Sequence, residues 1–386
     1  MDFLEKELEH LSDTGLTRVL FRIDGLEGRE VLSGGERLVD FSSNDYLGLA
    51  GNSALVDGAV SAIRRWGTGA RASRLMSGDL EIHHTLERAV ADLKGTETGL
   101  LFGSGYLANS GIIPSICGRK DVIFSDRLNH ASIIDGIMLS RARAFRFRHN
   151  DIDHLESLLE THREKYEKAL IIAEGLYSMD GDFAPVGKLI ELKECYDTLL
   201  MLDEAHSAGV YGKRGEGTVS REDAEKVDIL LGTFGKAFGG YGAYAAVSRA
   251  MKRFLINRAR TFIFSTALPP CVIGSDLAAL DLMPKVSGLR KRVIESSEML
   301  RTWFRQKTGL EVRGESQIIP VIVGENRMAL ELAGHLQKTG FLVKAVRPPT
   351  VPAGEARIRI SVTARHTEED LNGLQNAVKQ YLNSCS

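Results

Sequence analysis

The sequence predicts an α/β protein: a large domain with a mostly parallel sheet flanked by helices, then a smaller C-terminal α+β domain. Apolar runs such as Leu170–Ala173 and Leu199–Leu202 are each followed by a polar loop and a helical pattern, and such repeated units imply parallel strands. After Pro269–Pro270 the order of elements changes. We predict an N-terminal helix and hairpin segment at 1–40, a large domain at 41–275 and a small domain at 276–386.

The composition is that of an ordinary globular protein. Charged residues make up 26% and hydrophobic residues 43% of the chain, and the net charge is −2, which does not indicate a nucleic-acid partner. The cysteines at 117, 195, 271 and 385 form no C-x-x-C pair, which favours reduced thiols over disulfides or a metal site. No apolar run approaches the roughly 20 residues of a membrane span, and no apolar signal core is present at the N-terminus. We expect a cytoplasmic protein with neither a membrane partner nor a bound metal.

Local patterns predict the individual elements. Leu4, Leu8 and Leu11 recur at helical spacing and predict a helix over 2–11. A polar hairpin follows around Gly25–Gly35, and the Ser, Asn and Asp residues of 41–49 indicate a loop. The further predicted helices are 54–66, 81–94, 276–308 with an interruption near Pro284–Gly288, 326–338 and 367–382. The further predicted strands are Leu100–Phe102, Val122–Phe124, 227–231, Ile318–Val323, Phe341–Val346 and Arg357–Val362.

A turn of small residues at Gly103–Ala108 follows the strand that ends at Phe102 and opens a helix. Free N–H groups and the helix dipole at such a turn attract a phosphate group. Together with Asp126, about 20 residues further on, the same segment also fits a dinucleotide-binding fingerprint. These residues alone leave open a dinucleotide, another phosphate ligand or a packing turn.

One lysine lies in a glycine-rich turn after a predicted buried strand, in the segment VDILLGTFGKAFGG at 227–240. Small and apolar neighbours partly desolvate the ammonium group of Lys236, which favours the reactive free amine. Such an amine can form a Schiff base with a carbonyl, including that of pyridoxal phosphate. Asp203 directly follows another apolar strand, so we expect it at the same edge of the sheet, where an acid suits a basic ring nitrogen. A helix cap is its structural alternative.

Two arginine patterns and one histidine also stand out. The run RARAFRFRH at 141–149 is typical of an edge strand with a solvated basic face, and contact with the phosphates of a large acyl carrier is the alternative. Within Arg357–Ile360 the period is two, so the isoleucines face a core and the arginines face away from it. An arginine placed this way can bind a carboxylate through two parallel hydrogen bonds. His130 lies in a loop after a strand, where α/β folds bind ligands.

Six segments resemble the motifs of one enzyme family, in the family's order: FSSNDYLGL, DRLNHASI, EGLYSMDGD, DEAHSAGVYG, TFGKAFG and FSTALPP. On these motifs the chain resembles the α-oxoamine synthases over nearly its whole length. The resemblance implies a fold type I transferase with a seven-stranded sheet, the cofactor pyridoxal 5′-phosphate and a homodimer with shared active sites. The loop RPPTVPAG at 347–354 resembles the corresponding loop of the family member that acts in biotin biosynthesis. That version implies a decarboxylating condensation of L-alanine with a pimeloyl group carried by coenzyme A or an acyl-carrier protein.

The resemblance also implies roles for individual residues. Lys236 bonds the cofactor and moves the α-proton of the substrate, Asp203 pairs with the ring nitrogen, and His130 stacks on the ring. The other expected cofactor contacts are Ser104, Gly105, Tyr106, Ser178, His206, Thr233 and, from a second subunit, Thr266. The expected substrate contacts are Arg359 for the amino-acid carboxylate, Arg18 and Thr350 for the acyl group, and Asn44 with Tyr46 nearby.

Alternatives remain at this point. A sister activity joins glycine to acetyl-CoA and forms 2-amino-3-ketobutyrate, and most of the motifs are shared with it. A nicotinamide-dependent oxidoreductase would use Gly103–Ala108 and Asp126 but leaves Lys236 and Asp203 without roles. A non-catalytic protein that binds an acyl carrier would be colourless. The stretch GTGARASRLMSG at 67–78 is bulkier and more basic than the family's Gly/Ser-rich version, which leaves the exact acyl donor open.

Overall fold

The computed structural model describes residues 2–385. Within them the chain forms two compact units. We call residues 49–178 and 183–290 the central unit, and residues 2–48, 179–182 and 291–385 the terminal unit. The terminal unit thus combines segments from both ends of the chain. The division into 1–40, 41–275 and 276–386 stays a prediction.

The elements are numbered in chain order. The strands are β1 Gly25–Glu27, β2 Glu30–Ser33, β3 Glu36–Asp40, β4 Thr98–Phe102, β5 Val122–Asp126, β6 Arg143–Phe147, β7 Ala169–Glu174, β8 Leu199–Asp203, β9 Ile229–Thr233, β10 Ala243–Val247, β11 Glu311–Val312, β12 Ile318–Gly324, β13 Phe341–Leu342, β14 Lys344–Val346 and β15 Ala356–Ser361. The helices are α1 Asp2–Asp13, α2 Ser53–Trp66, α3 Glu81–Lys94, α4 Gly105–Ile116, α5 Ala131–Ser140, α6 Ile152–His162, α7 Val186–Cys195, α8 Arg249–Arg258, α9 Arg260–Ile263, α10 Pro270–Leu282, α11 Ser287–Lys307, α12 Asn326–Lys338 and α13 Glu368–Cys385.

The central unit contains a seven-stranded sheet in the order β4-β10-β9-β8-β7-β5-β6. Strands β5 to β9 run parallel, and β10 pairs antiparallel with β4 and β9. The predicted mostly parallel sheet is therefore confirmed. Every residue of β5, β7 and β10 is buried, as expected for a sheet that is covered on both faces. The basic stretch 141–149 forms the edge strand β6 as predicted.

The carboxyl ends of three neighbouring parallel strands carry polar residues. β7 ends at Glu174, β8 at Asp203 and β9 at Thr233. The register pairs Glu174 directly with Asp203 across β7 and β8. In parallel sheets the loops that follow these ends form the ligand-binding edge, so the topology brings residues that are far apart in sequence to one place.

Some predicted boundaries were wrong. The strand predicted at 227–231 is β9 at Ile229–Thr233, because a 3-10 turn at Ala224–Lys226 precedes it. The helix predicted from 276 begins at Pro270, since proline fits the first helical position, and it is interrupted at Met283–Lys285. The single strand predicted at Phe341–Val346 is two strands: β13 pairs with β3, and β14 pairs with β15.

The terminal unit contains two small sheets, in the orders β1-β2-β3-β13 and β11-β12-β15-β14. On β15, Ile358 and Ile360 enter the apolar core of this unit. Arg357 and Arg359 alternate with them as predicted, yet both arginines are also buried. Polar partners on the second face of β15 make this burial possible, because a buried charge has to be paired or hydrogen-bonded.

Helices α2 and α10 cross closely at two glycines of the central unit. A Cβ atom on Gly274 would lie 2.7 Å from the Cβ of Ala62 and would overlap the carbonyl oxygen of Gly58. Because backbone atoms on both sides leave no free space, the crossing requires glycine. The crossing matters for the site, since α10 also carries the buried residue Asp276.

We predict that Gly274→Ala lowers the free energy of unfolding by about 1–3 kcal/mol, as overpacking does in well-packed interiors. The matched control is Gly187→Ala in α7, where no atom lies within 4 Å of the added Cβ position. It should leave stability unchanged or raise it by up to about 1 kcal/mol. Urea unfolding of both variants measures this, and a Gly274→Ala protein as stable as the control would contradict the crossing geometry.

Candidate functional site

Asp203 is a buried carboxylate, only 6% exposed. Its Oδ2 accepts a hydrogen bond from the side-chain amide of Asn109 at 2.8 Å, and its Oδ1 accepts one from the backbone N–H of Ala205 at 3.0 Å. Two donors fix the orientation of the group at the end of β8. The predicted helix-cap alternative does not apply, because no helix starts at this residue.

Lys236 lies in the loop after β9, and its Nζ is 2.9 Å from Nε2 of His206. The lysine is half-buried, while His206 is buried. The loop is a tight turn: the Phe234 N–H donates to the Gly242 carbonyl at 3.0 Å, and the Gly240 N–H donates to the Phe234 carbonyl at 2.9 Å. Two predicted site residues are thus in direct contact, and a folded turn holds the lysine in place.

Asp276 supports this turn from α10. The residue is fully buried, its Oδ1 accepts a hydrogen bond from the Tyr241 N–H at 3.3 Å, and no partner for its Oδ2 occurs among residues 2–385. Burial raises the pKa of the Asp276 carboxyl well above its ordinary value. A buried acid whose protonated form is favoured by desolvation therefore packs beneath the loop that carries Lys236.

His130 caps the N-terminus of α5, and its Nδ1 faces Ser132. The Ser132 N–H donates to Nδ1 at 3.2 Å, and the Ser132 hydroxyl lies 2.8 Å from Nδ1. Because the backbone N–H can only donate, Nδ1 is the acceptor and Nε2 carries the proton of the neutral ring. Desolvation lowers the pKa of His130, Asp203 raises it and Lys236 lowers it. The imidazole of His130 therefore lies close enough to Asp203 and Lys236 to interact electrostatically with both.

A chain of hydrogen bonds connects Asp203 with His130. The amide of Asn109 donates both to Asp203 and to the hydroxyl of Ser132, the latter at 2.9 Å. That hydroxyl can then donate to His130 Nδ1. Asn109 lies on α4 and Ser132 on α5, so the two helices align Asp203 and His130 relative to each other. Neither Asn109 nor Ser132 was predicted from the sequence.

Glu174 is a third residue of this edge that was not predicted from the sequence. Its Oε1 accepts a hydrogen bond from the His130 N–H at 2.6 Å, and the Ser178 backbone N–H also bonds to the carboxyl group. Burial, and then the neighbouring charge of Asp203, raise the pKa of Glu174 to about 8. At neutral pH the carboxyl group of Glu174 is therefore mostly neutral.

The segment 104–106 opens α4 as predicted. The hydroxyl of Ser104 caps the helix by accepting from the Leu107 N–H at 3.2 Å, and the phenol of Tyr106 bonds to Asp135 of α5. Nothing lies within 4 Å of the position that a Cβ on Gly105 would occupy. The start of α4 is therefore open, and such a helix terminus suits an anion.

The dinucleotide interpretation of this segment is wrong. It needs Asp126 to bind a ribose, but Asp126 is fully buried. Its two oxygens accept from the Leu128 N–H at 2.8 Å and from the Asn150 N–H at 2.9 Å, and Nδ1 of His149 lies 3.0 Å away. These contacts fix two loops and leave the carboxylate inaccessible to a ligand.

Three further predicted contacts lie in the central unit. Ser178 is buried and follows β7. Thr233 ends β9, and its hydroxyl donates to the Gly242 carbonyl at 2.7 Å, which helps to close the lysine turn. Thr266 forms a β-bridge with Ser73 and lines a small cavity together with Gly103. Arg74, from the basic stretch 67–78, contacts Glu87 at 3.0 Å and also pairs with Asp79.

The predicted carboxylate-binding arginine lies in the terminal unit. On β15, Arg359 donates to the Ser361 hydroxyl at 2.7 Å, to Asn44 Oδ1 at 3.3 Å and to the Tyr46 hydroxyl at 3.4 Å. The terminal unit thus brings three predicted substrate residues together. Its neighbour Arg357 instead pairs with Asp180 at 2.8 Å. A guanidinium such as that of Arg359 can bind a carboxylate through two parallel hydrogen bonds.

Arg18 and Thr350, the predicted acyl contacts, line one groove of the terminal unit with a volume of about 470 Å³. They are more than 300 positions apart in the chain. Residues 2–385 contain no helix that is long and apolar enough to cross a bilayer. In the same residues no three His, Cys, Asp or Glu side chains are grouped so that they could hold a metal ion.

A family model described as aminotransferase class I and II matches residues 36–378, so the chain belongs to this family. The chain is 49% identical over 369 residues to the 8-amino-7-oxononanoate synthase of Geobacter sulfurreducens, covering 95% of this chain and 94% of that protein. A serine palmitoyltransferase variant from S. paucimobilis, solved with a bound PLP–myriocin aldimine, is similar with a TM-score of 0.92 and 26% identity over 99% of this chain and 98% of that one.

The solved 8-amino-7-oxononanoate synthase of Francisella tularensis has a TM-score of 0.77 and 28% identity, covering 90% of this chain and 98% of that chain. These likenesses confirm the fold class and the family resemblance on which the sequence analysis relied. They favour neither the nicotinamide oxidoreductase nor the glycine-specific alternative.

We predict that Glu174→Gln makes the protein more stable near neutral pH. The folded-state pKa of about 8 exceeds the unfolded value of about 4.3, so the unfolded state binds fewer protons between these values. The wild-type free energy of unfolding therefore falls by about 1.4 kcal/mol for each pH unit in that window, and glutamine removes this loss. Melting temperatures measured from pH 5 to pH 9 should diverge up to about pH 8.

The control for Glu174→Gln is the exposed Glu222→Gln, whose melting temperature should follow that of the wild type at every pH. A Glu174→Gln protein whose pH–stability curve runs parallel to the wild-type curve would show that this carboxyl group is already charged at neutral pH.

Proposed function

We propose that this chain is a pyridoxal-phosphate-dependent acyltransferase that condenses L-alanine with a pimeloyl thioester and releases 8-amino-7-oxononanoate, CO₂ and the free thiol. The observation that carries the proposal is the cluster of Lys236, Asp203 and His130 at one sheet edge of a chain that is 49% identical to an 8-amino-7-oxononanoate synthase. The wild-type groups at this edge match what an aldehyde cofactor with a basic ring nitrogen requires.

The residues present fit that cofactor. The half-buried amine of Lys236 can bond its aldehyde, and the oriented carboxylate of Asp203 can accept a hydrogen bond from a protonated ring nitrogen. The open start of α4 at Ser104, Gly105 and Tyr106 suits its phosphate. When bound, the cofactor supplies an electron sink for the charge that develops on the substrate's α-carbon. We assign further cofactor contacts to Ser178, His206 and Thr233.

The side chains divide the proton and charge transfers among them. Lys236, acting as a general base, takes the α-proton of alanine and later returns a proton to the same carbon. His130 presents its Nε2–H, since Nδ1 is occupied by Ser132, and we assign it to assist the acyl transfer. Arg359 binds the carboxylate of alanine, with Asn44 and Tyr46 beside it. Arg18 and Thr350 contact the acyl chain in their groove.

The assembly and location belong to the same proposal. We propose a homodimer in which Thr266 of one copy reaches the phosphate site of the other. The pimeloyl group arrives on coenzyme A or on an acyl-carrier protein. The thiols of Cys117, Cys195 and Cys271 are free, which supports a cytoplasmic location.

We predict that cofactor-loaded protein releases thiol rapidly with alanine and pimeloyl-CoA and at least about 100-fold more slowly with glycine and acetyl-CoA, since each site binds its own pair. Lys236→Ala should lower the first rate by about 10²–10⁴-fold, the range of a lost general base. The control is Lys226→Ala, at an exposed lysine of the same unit. A thiol-release assay measures all four reactions.

Two outcomes would end the proposal: wild-type turnover by Lys236→Ala, or a clear preference for glycine and acetyl-CoA. A lysine-bound cofactor also makes the protein yellow until borohydride bleaches it, whereas a non-catalytic acyl-carrier-binding protein would stay colourless.

A further inference from the structure

The groove of the terminal unit combines an apolar wall with positive charge. Its lining includes Leu16, residues 18–21 and the end of β14 at residues 345–346. Val19 and Leu20 are 85% and 99% exposed, so this wall presents apolar surface to water. An apolar ligand segment lying on this wall would remove apolar surface from water, and that burial favours binding.

Three cationic side chains line the same groove: Arg18, Lys344 and Arg347. Arg347 is already used, because its guanidinium donates to the carbonyl oxygens of Gly15 and of Thr17, the latter at 3.1 Å. Burial and the charge of Arg18 both lower the pKa of Arg347. Arg347 therefore shapes the groove by holding the segment that carries Arg18.

Lys344 and Arg18 have no such partners. Among the side chains of residues 3–384, no carboxylate oxygen lies within 4.0 Å of either cation. The Lys344 ammonium lies 4.0 Å from the centroid of the Phe21 ring, a cation–π contact that holds it over the apolar wall. Desolvation lowers the pKa of Lys344, and the more distant Asp40 offsets part of this effect. A partly desolvated cation beside an apolar surface is suited to a ligand with an anionic end and an aliphatic body.

We propose that Lys344, together with Arg18, determines acyl specificity by binding the distal carboxylate of a dicarboxylic acyl chain whose methylene groups lie on the apolar wall. This inference rests on the proposed function and extends it to the end of the acyl group that takes no part in the chemistry. The phosphates of coenzyme A are less suited to this groove than a distal carboxylate. They are strongly hydrated, and they have no aliphatic segment that would cover Val19 and Leu20.

The test uses two acyl donors of seven carbons, pimeloyl-CoA and heptanoyl-CoA, which differ only in the distal carboxylate. With cofactor-loaded wild type and alanine, pimeloyl-CoA should have the higher kcat/KM. Lys344→Met keeps the length of the side chain and removes its charge. It should lower kcat/KM for pimeloyl-CoA on the order of tenfold through KM, as expected for a partly exposed charge-assisted contact, and leave heptanoyl-CoA unchanged.

The matched control is Lys307→Met, at an exposed lysine outside the groove, which should leave both donors unchanged. Salt gives a second measurement: screening weakens the phosphate contacts of both donors equally, so it should raise the wild-type KM for pimeloyl-CoA more than that for heptanoyl-CoA. Calorimetric binding of heptanedioate should weaken in Lys344→Met and in Arg18→Met by a similar factor.

The outcomes separate this inference from the proposed function. A wild type that is inactive with alanine and both donors would overturn the proposed function. Calorimetric binding of heptanedioate would then still test whether the groove binds a dicarboxylic chain. An active wild type without a preference for pimeloyl-CoA would overturn only the inference. Equal losses for both donors in Lys344→Met, or no loss for either, would do the same.

Discussion

The orientation of one buried carboxylate, Asp203, is the constraint on which the site depends. A charge at the end of a buried strand is tolerated only when donors replace the lost water. The amide of Asn109 and the N–H of Ala205 provide these donors. The parallel sheet then places the ends of the neighbouring strands beside Asp203. Residues on β7, β9 and two helices are therefore positioned around this one carboxyl group. Preorganised charges of this kind need little rearrangement during a reaction.

The same constraint explains why two acids at one edge can behave differently. Glu174 lies directly opposite Asp203 in the register, and two like charges this close are unfavourable in a buried site. Asp203 has side-chain and backbone donors, whereas Glu174 is held by backbone N–H groups at His130 and Ser178. The result is that the pKa of Glu174 is raised beside Asp203, and different environments of this kind let similar side chains take separate roles in enzymes.

The sequence was sufficient to predict the sheet and the main candidates, because apolar runs and the polar residues after them are local features. Lys236 and Asp203 were recognisable for this reason. Asn109, Ser132 and Glu174 were not, since their roles arise only when α4, α5 and β7 meet around Asp203.

Local patterns also misled in places. Asp126 follows a strand as a ribose-binding acid would, yet both of its carboxylate oxygens accept hydrogen bonds from loop N–H groups. The two strands at 341–346 look like one run, because no local signal marks the change from one sheet to the other at Val343.

The terminal unit combines segments from both ends of the chain, and this affects how the protein can fold during synthesis. Strand β3 near the N-terminus pairs with β13, and the Phe41 N–H donates to the Leu342 carbonyl at 3.0 Å. These partners leave the ribosome some 300 residues later, roughly 15–60 s at ordinary elongation rates. During that interval the exposed edge of the hairpin has no native partner, whereas the two segments of the central unit, 49–178 and 183–290, leave the ribosome almost consecutively. Early emergence thus does not mean early folding for the first forty residues, and chaperones have the longest access to this segment.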